Sequence, residues 1–190
     1  LSGYGGRFKI GKGSKGFWKY STGVSWLSPG LELNDLGYMR EADMINNENT
    51  VSYLINQPVS VFHTYSIELE QFNSWNFNGT YLESGAHLAF MSEFSNNWSF
   101  SINLIGSTDK VDTRILRGGP EMIMPKSLMT FGQFKTDQSK KVIFDLAGRL
   151  EKTADNSATV YEFAPGLSIR PIQALKVGIS ANYTDNNDNL

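Results

Sequence analysis

The side chains of Asn34, Asp35, Glu41 and Asp43 carry oxygens of the kind that bind calcium. Their spacing does not follow an EF-hand loop, so the segment from Ser28 to Asp43 is expected to fold over one end of the molecule with its carboxylates solvated. Arg114 and Arg117 precede Gly118-Gly119-Pro120, and two guanidinium groups so placed could hold a phosphate or a carboxylate. The glycines and proline punctuate a turn. They lack the Lys-Ser/Thr that follows in a phosphate-binding loop, and the arginines are expected to pair with carboxylates of the same chain. His63 and His87 stand in different segments, and no Gly-x-Ser-x-Gly elbow accompanies them. With no cysteine, thiol catalysis and thiolate metal sites are excluded. A glycosidase would need a carboxylate pair such as Glu68 and Glu83 at a defined separation, which a sequence does not reveal. The reading is therefore of no catalytic residue, no metal and no cofactor, and of a protein that is not an enzyme.

The elements that would carry these residues are β-strands. Alternation with a period of two runs through most of the chain, and helical periodicity is nearly absent. Trp18, Tyr20, Thr22, Val24 and Trp26 alternate with Lys19, Ser21, Gly23 and Ser25. Val59, Val61, His63, Tyr65, Ile67 and Leu69 form a second series, and Trp98, Phe100, Ile102 and Leu104 a third. Leu175, Val177, Ile179, Ala181 and Tyr183 alternate with Lys176, Gly178, Ser180 and Asn182. Because successive strand side chains point to opposite faces, each segment has one apolar and one polar face. Ten strands are predicted, near 3–12, 16–27, 46–56, 59–72, 77–92, 97–106, 122–135, 140–152, 158–170 and 174–184.

Most of these segments reach the roughly 9–11 residues that cross a bilayer at a tilt. Only 19% of residues are charged, where a soluble domain has about a quarter, and aromatics make up 13%. Odd-numbered connections read as short and even-numbered ones as longer, as in outer-membrane barrels with short periplasmic turns and long external loops. Trp18 and Trp26 lie about 26 Å apart along one strand face, or roughly 19 Å of membrane depth at a tilt of about 45°, which suits two interfacial rims. The expected fold is all-β, an antiparallel transmembrane β-barrel. Residues 1–190 would supply about ten strands of a larger barrel, because the chain starts in strand-like sequence and ends on a polar run that resembles the start of an external loop. Trp18, Val24, Trp26, Ile102, Leu104, Val177 and Ile179 are expected to face lipid. Lys19, Glu68, Glu70, His87, Lys141, Asp145, Arg149 and Lys176 fall on the other face and are expected to fill the interior as mutually paired charges. A net charge of -2 with scattered cations argues against a nucleic-acid partner.

Two segments carry a resemblance. Ser28-Pro29-Gly30-Leu31-Glu32-Leu33-Asn34-Asp35-Leu36-Gly37-Tyr38 and Leu116-Arg117-Gly118-Gly119-Pro120 resemble motifs of a Bacteroidota outer-membrane family. In that family a module similar to family-nine carbohydrate-binding domains precedes a C-terminal β-barrel of unknown function. The resemblance extends over residues 1–190, in the barrel region only. It implies a bacterial outer-membrane location, outer-membrane lipid and the barrel-assembly machinery as partners, and an N-terminal carbohydrate-binding module in the same protein. The expected role is a channel, transporter or surface platform linked to glycans. The alternatives are a soluble carbohydrate-binding β-sandwich using exposed Trp18, Trp75 or Trp98, or a barrel attached to a glycoside hydrolase-like protein.

Overall fold

The computed structural model describes residues 2–13, 15–31, 42–113, 120–154, 157–172 and 174–188. Among these are thirteen strands: β1 (Gly5–Lys12), β2 (Trp18–Leu27), β3 (Met44–Ile55), β4 (Phe62–Trp75), β5 (Tyr81–Phe94), β6 (Ser99–Ser107), β7 (Lys110–Asp112), β8 (Met122–Met124), β9 (Ser127–Lys135), β10 (Val142–Thr153), β11 (Ala158–Ile172), β12 (Leu175–Ser180) and β13 (Tyr183–Asp188). All pair antiparallel. One large sheet runs β1-β2-β3-β4-β5-β6-β9-β10-β11-β12, with β13 also on β11, and β7-β8 form a separate hairpin. The fold is all-β, as the alternation predicts, and the large sheet is open: β1 pairs with β2 alone, and β12 and β13 with β11 alone.

Three expectations need correcting. The strand predicted over 122–135 is two elements, because Pro125 separates β8 from β9 and the former turns away to pair with β7. The strand predicted over 59–72 starts at Phe62. Ser60 adopts φ 55° and Val59 only bridges to Phe62, so Val59 and Val61 are not a continuation of the β4 alternation, and inside β4 a register shift between Phe62 and Thr64 interrupts it at His63. Finally, the connections 76–80 and 154–157 are as short as the odd-numbered ones, so the loop asymmetry rests on 28–43 and 108–126. In a consecutive antiparallel meander both of those lie at the same end, opposite the turns after β1, β3, β5, β9 and β11.

The predicted last strand is also split, for a reason visible in its partner. Gly166↔Ser180 and Phe163↔Tyr183 belong to one continuous register, with Pro165 facing Ala181 between them. Ala181 N–H donates to the Pro165 carbonyl at 3.1 Å, but proline has no N–H to return the second bond of that pair. One missing donor thus interrupts what is otherwise a single strand.

Register also fixes how the strands lean. Following cross-strand partners from Lys12 gives Tyr20, Val51, Leu69, Leu88, Leu104, Thr130, Leu150, Tyr161 and Asp185. Lys12 is the last residue of β1, beside its turn, whereas Tyr161 lies well back from Ile172, the turn end of β11. From β1 to β11 the row moves away from the short turns by about 1.4 residues per strand on average, without advancing between β4 and β9. With about 3.3 Å per residue and about 4.8 Å between strands, an average shift of that size corresponds to a strand tilt of roughly 43°.

Pro165→Val restores the absent donor and should stabilise the sheet by about 0.5–1.5 kcal/mol. Slower hydrogen exchange at the amides of residues 181–183 is the expected readout; unchanged exchange there would mean the break has another cause.

Candidate functional site

The two faces of the large sheet differ in chemistry. One carries the row just traced together with Phe8, Ile10, Trp18, Val24, Ile67, Ile102, Val177 and Ile179, all of them exposed but for the half-buried Thr130 and Leu150 of the row. Trp18, Val24, Ile102, Leu104, Val177 and Ile179 are thus uncovered, while Trp26 is half-buried because its indole lies over Gly6 on the neighbouring strand. Rings gather at the two ends of this face. At the short-turn end a chain crosses β2 to β5 through Trp18–Tyr53 at 4.9 Å, Tyr53–Tyr65 at 6.3 Å, Phe62–Tyr65 at 5.4 Å and Phe62–Phe94 at 5.1 Å. At the long-loop end stand Tyr4–Phe77 and Trp75–Tyr81, at 6.1 and 6.4 Å. Between Val51 and Trp75 the same face carries a hydrogen-bonded polar ladder. Thr22 Oγ1 donates to Asn49 Oδ1 at 2.7 Å, and Asn49 Nδ2 donates to Asn47 Oδ1 at 2.8 Å and Gln71 Oε1 at 2.7 Å.

The opposite face is polar and concave, and it is the candidate functional surface. A cavity of about 540 Å³ lies against Lys9, Lys19, Ser21, Ser52, Glu68 and Glu70. A second, of about 370 Å³, is lined by Asn103, Gln133, Arg149, Glu162 and Asn182 among others. Arg149 reaches Glu162 at 3.4 Å and also bonds Glu151, while its Nε is buried without a partner. Arg7 reaches across β2 to Glu48 on β3 at 3.3 Å, passing the strand at residues as small as Gly23 and Ser25. His87 Nε2 meets Asn103 Oδ1 at 3.0 Å and so is held by an amide, not by a catalytic partner. The expectation of mutual pairing holds for Arg149. It does not hold for Lys19, Lys141 and Lys176, which have no carboxylate within 4.0 Å among the described residues.

The glycosidase arrangement is not formed by Glu68 and Glu83. Glu68 faces Ala89 on β5, and Glu83 lies further along that strand by about 20 Å at 3.3 Å per residue, beyond any glycosidase spacing of about 5–9.5 Å. Glu83 instead pairs with Lys110 at 3.3 Å. Of the loop residues singled out, Asn34, Asp35, Arg114, Arg117, Gly118 and Gly119 lie outside the described residues, and Pro120 is exposed. Asp43 adopts φ 57°, and its Oδ1 accepts the Phe77 N–H at 2.9 Å. Among the described residues no group of three His, Cys, Asp or Glu is arranged to hold a metal.

One turn residue escaped the sequence reading. Asp137, in the turn between β9 and β10, accepts from Ser139 Oγ at 2.7 Å and Ser139 N–H at 2.8 Å, and from Asn97 Nδ2 in the neighbouring turn at 3.3 Å. The Ser139 bonds chiefly, aided by Asn97 and by Lys140 at 3.8 Å, lower its pKa from 3.8 to about 2.

The chain belongs to the family described as a domain of unknown function (DUF5916), whose sequence pattern matches residues 1–190. No curated protein and no solved structure matches it.

The Asp137 tether has a pH signature. The folded carboxyl binds its proton more weakly than the unfolded one, so its contribution is complete above about pH 4 and is lost as the pH falls towards about 2. Exchange of the Ser139 amide, corrected for intrinsic chemistry, should accelerate across that window. Asp137→Asn should abolish the pH dependence, and a variant with the wild-type profile would disconnect it from this carboxylate.

Proposed function

We propose that this chain is a sector of a bacterial outer-membrane β-barrel whose apolar face meets lipid and whose concave polar face lines an aqueous space. The observation that carries the reading is the uncovered apolar face. A chain of 21.2 kDa folded as a globule exposes about 9,000 Å² by the usual scaling, and this one exposes 13059 Å². Among the described residues the buried apolar ones are Ile55, Leu82, Ala89 and Ile143. A soluble sandwich would place a second sheet on that face, whereas the β7-β8 hairpin is the one other sheet among the described residues.

Three further features support lipid as the cover. Aromatic rings flank the aliphatic residues at both ends of the face, as interfacial girdles do. The average tilt of roughly 43° falls within the roughly 35–45° of transmembrane barrels. The Thr22-Asn49-Gln71 ladder, at mid-strand on this face, bonds its polar side chains to one another, which lowers their cost in hydrocarbon. The two unpaired sheet edges would cost several kcal/mol per unsatisfied group in lipid, so closure requires further strands. In this arrangement the long connections 28–43 and 108–126 lie outside the cell and the short turns in the periplasm. The role is that of a channel or transporter, and the carbohydrate-binding module implied by the sequence resemblance would add a glycan-binding platform.

Ile102→Arg tests the reading directly. In the membrane-inserted protein it should cost about 2–4 kcal/mol, seen as a lowered denaturant midpoint in lipid vesicles. Ser101→Arg, one residue away on the polar face, should stay close to the parent. Equal stability for the two variants would place residue 102 in water.

A further inference from the structure

The charges of the polar face are sorted along the strands. In the half nearer the short turns, Lys9, Lys19, Lys135, Lys141, Arg170 and Lys176 stand against Glu93 and Asp145, with Glu68 at mid-strand. In the half nearer the long loops, Glu48, Glu70, Glu83, Glu151 and Glu162 outnumber Arg7 and Arg149. Pairing accentuates the contrast. The loop-half arginines are both neutralised by Glu48, Glu151 and Glu162. Among the described residues none of the five turn-half lysines has a carboxylate within 4.0 Å, and Arg170 spends a guanidinium N–H on the Gln138 carbonyl at 3.0 Å.

Unpaired like charges on a concave wall repel one another, and their cheapest relief is a mobile counter-charge in the space they enclose. Hydroxyls at Ser21, Ser52 and Ser99 stand on the same half of the face and offer neutral donors beside the ammonium groups. Because these cations line the hollow and not the outer surface, a lipid headgroup could not reach them from the bilayer. We infer that the turn end of the polar face is an anion-gathering vestibule, which takes small water-soluble anions bearing a carboxylate or phosphate, while the carboxylate-rich far end disfavours them. The inference rests on the barrel reading, which makes this face a lumen. It goes beyond that reading by naming the charge class of the solute and the end at which it is collected.

Cysteine accessibility separates the two claims, and the chain contains no cysteine of its own. Single cysteines are placed in the full-length protein in lipid vesicles at Ser21 (turn half, polar face), Ser107 (loop half, polar face) and Ile102 (apolar face). Each is reacted with two methanethiosulfonates of similar size, one bearing a sulfonate and one a trimethylammonium group. Taking the ratio of the two rates cancels the thiolate fraction at each position. The sulfonate-to-ammonium ratio at Ser21→Cys should exceed that at Ser107→Cys by roughly tenfold at low ionic strength. The difference should shrink in high salt and in a Lys9→Gln/Lys19→Gln background. Equal ratios, or a preference for the cation at Ser21→Cys, with Ile102→Cys silent, would overturn the vestibule and leave the barrel standing. Fast reaction of Ile102→Cys with both reagents would overturn the barrel itself. Failure of both polar-face cysteines to react would remove the aqueous lumen and the vestibule together.

Discussion

Apolar side chains on one whole face of a single sheet require a cover, and the described chain supplies almost none of it. Leu69, Leu88, Leu104 and Tyr161 stand in one hydrogen-bonded row from β4 to β11, and each is exposed. At about 25 cal/mol per Å² of apolar surface, leaving such a face in water would forfeit more than a domain of this size can spare. The tilt, the ring clusters at both ends of the strands and the sparse interior all become coherent once that face is solvated by hydrocarbon. On the proposed barrel reading the backbone meets a complementary demand, since every N–H and C=O in hydrocarbon must find a partner in the neighbouring strand. Pro165 breaks this rule at a single position, next to the last-paired strand of the sheet, where only one neighbour loses a bond.

The polar face answers a different requirement. Its loop half carries ion pairs that cross strands, Arg149–Glu162 between neighbours and Arg7–Glu48 over an intervening strand. Its turn half is held from below, where Asp137 joins two turns through Asn97, and its lysines are left to face the hollow. Structural cross-links and unpaired charge thus occupy different depths of the same surface.

Much of this was legible in the residues. The alternation around Trp18–Trp26, Trp98–Leu104 and Leu175–Ile179 sorts side chains to the faces that the registers assign, because a period of two leaves no other choice once a strand forms. Less legible were features that depend on a partner strand. Nothing local to Ala181 and Asn182 marks a break, since its cause is Pro165 across the ladder. The false start at Val59 followed an apolar pattern through a turn in which Ser60 takes a positive φ. For the polar face, residue types alone suggested evenly mixed charge. The sorting emerges only when antiparallel order reverses the direction of every second strand and brings Lys19, Lys135, Arg170 and Lys176 to one end.

The central claim is that consecutive residues of one strand alternate between hydrocarbon and water. Nitroxide spin labels placed singly from His87 to Met91 on β5, in the full-length protein in lipid vesicles, test it most directly through collision with oxygen and with a water-soluble nickel chelate. Labels at Leu88 and Phe90 should favour oxygen and those at His87, Ala89 and Met91 the chelate, giving a two-residue oscillation. Uniform access to the chelate along all five positions would contradict the account.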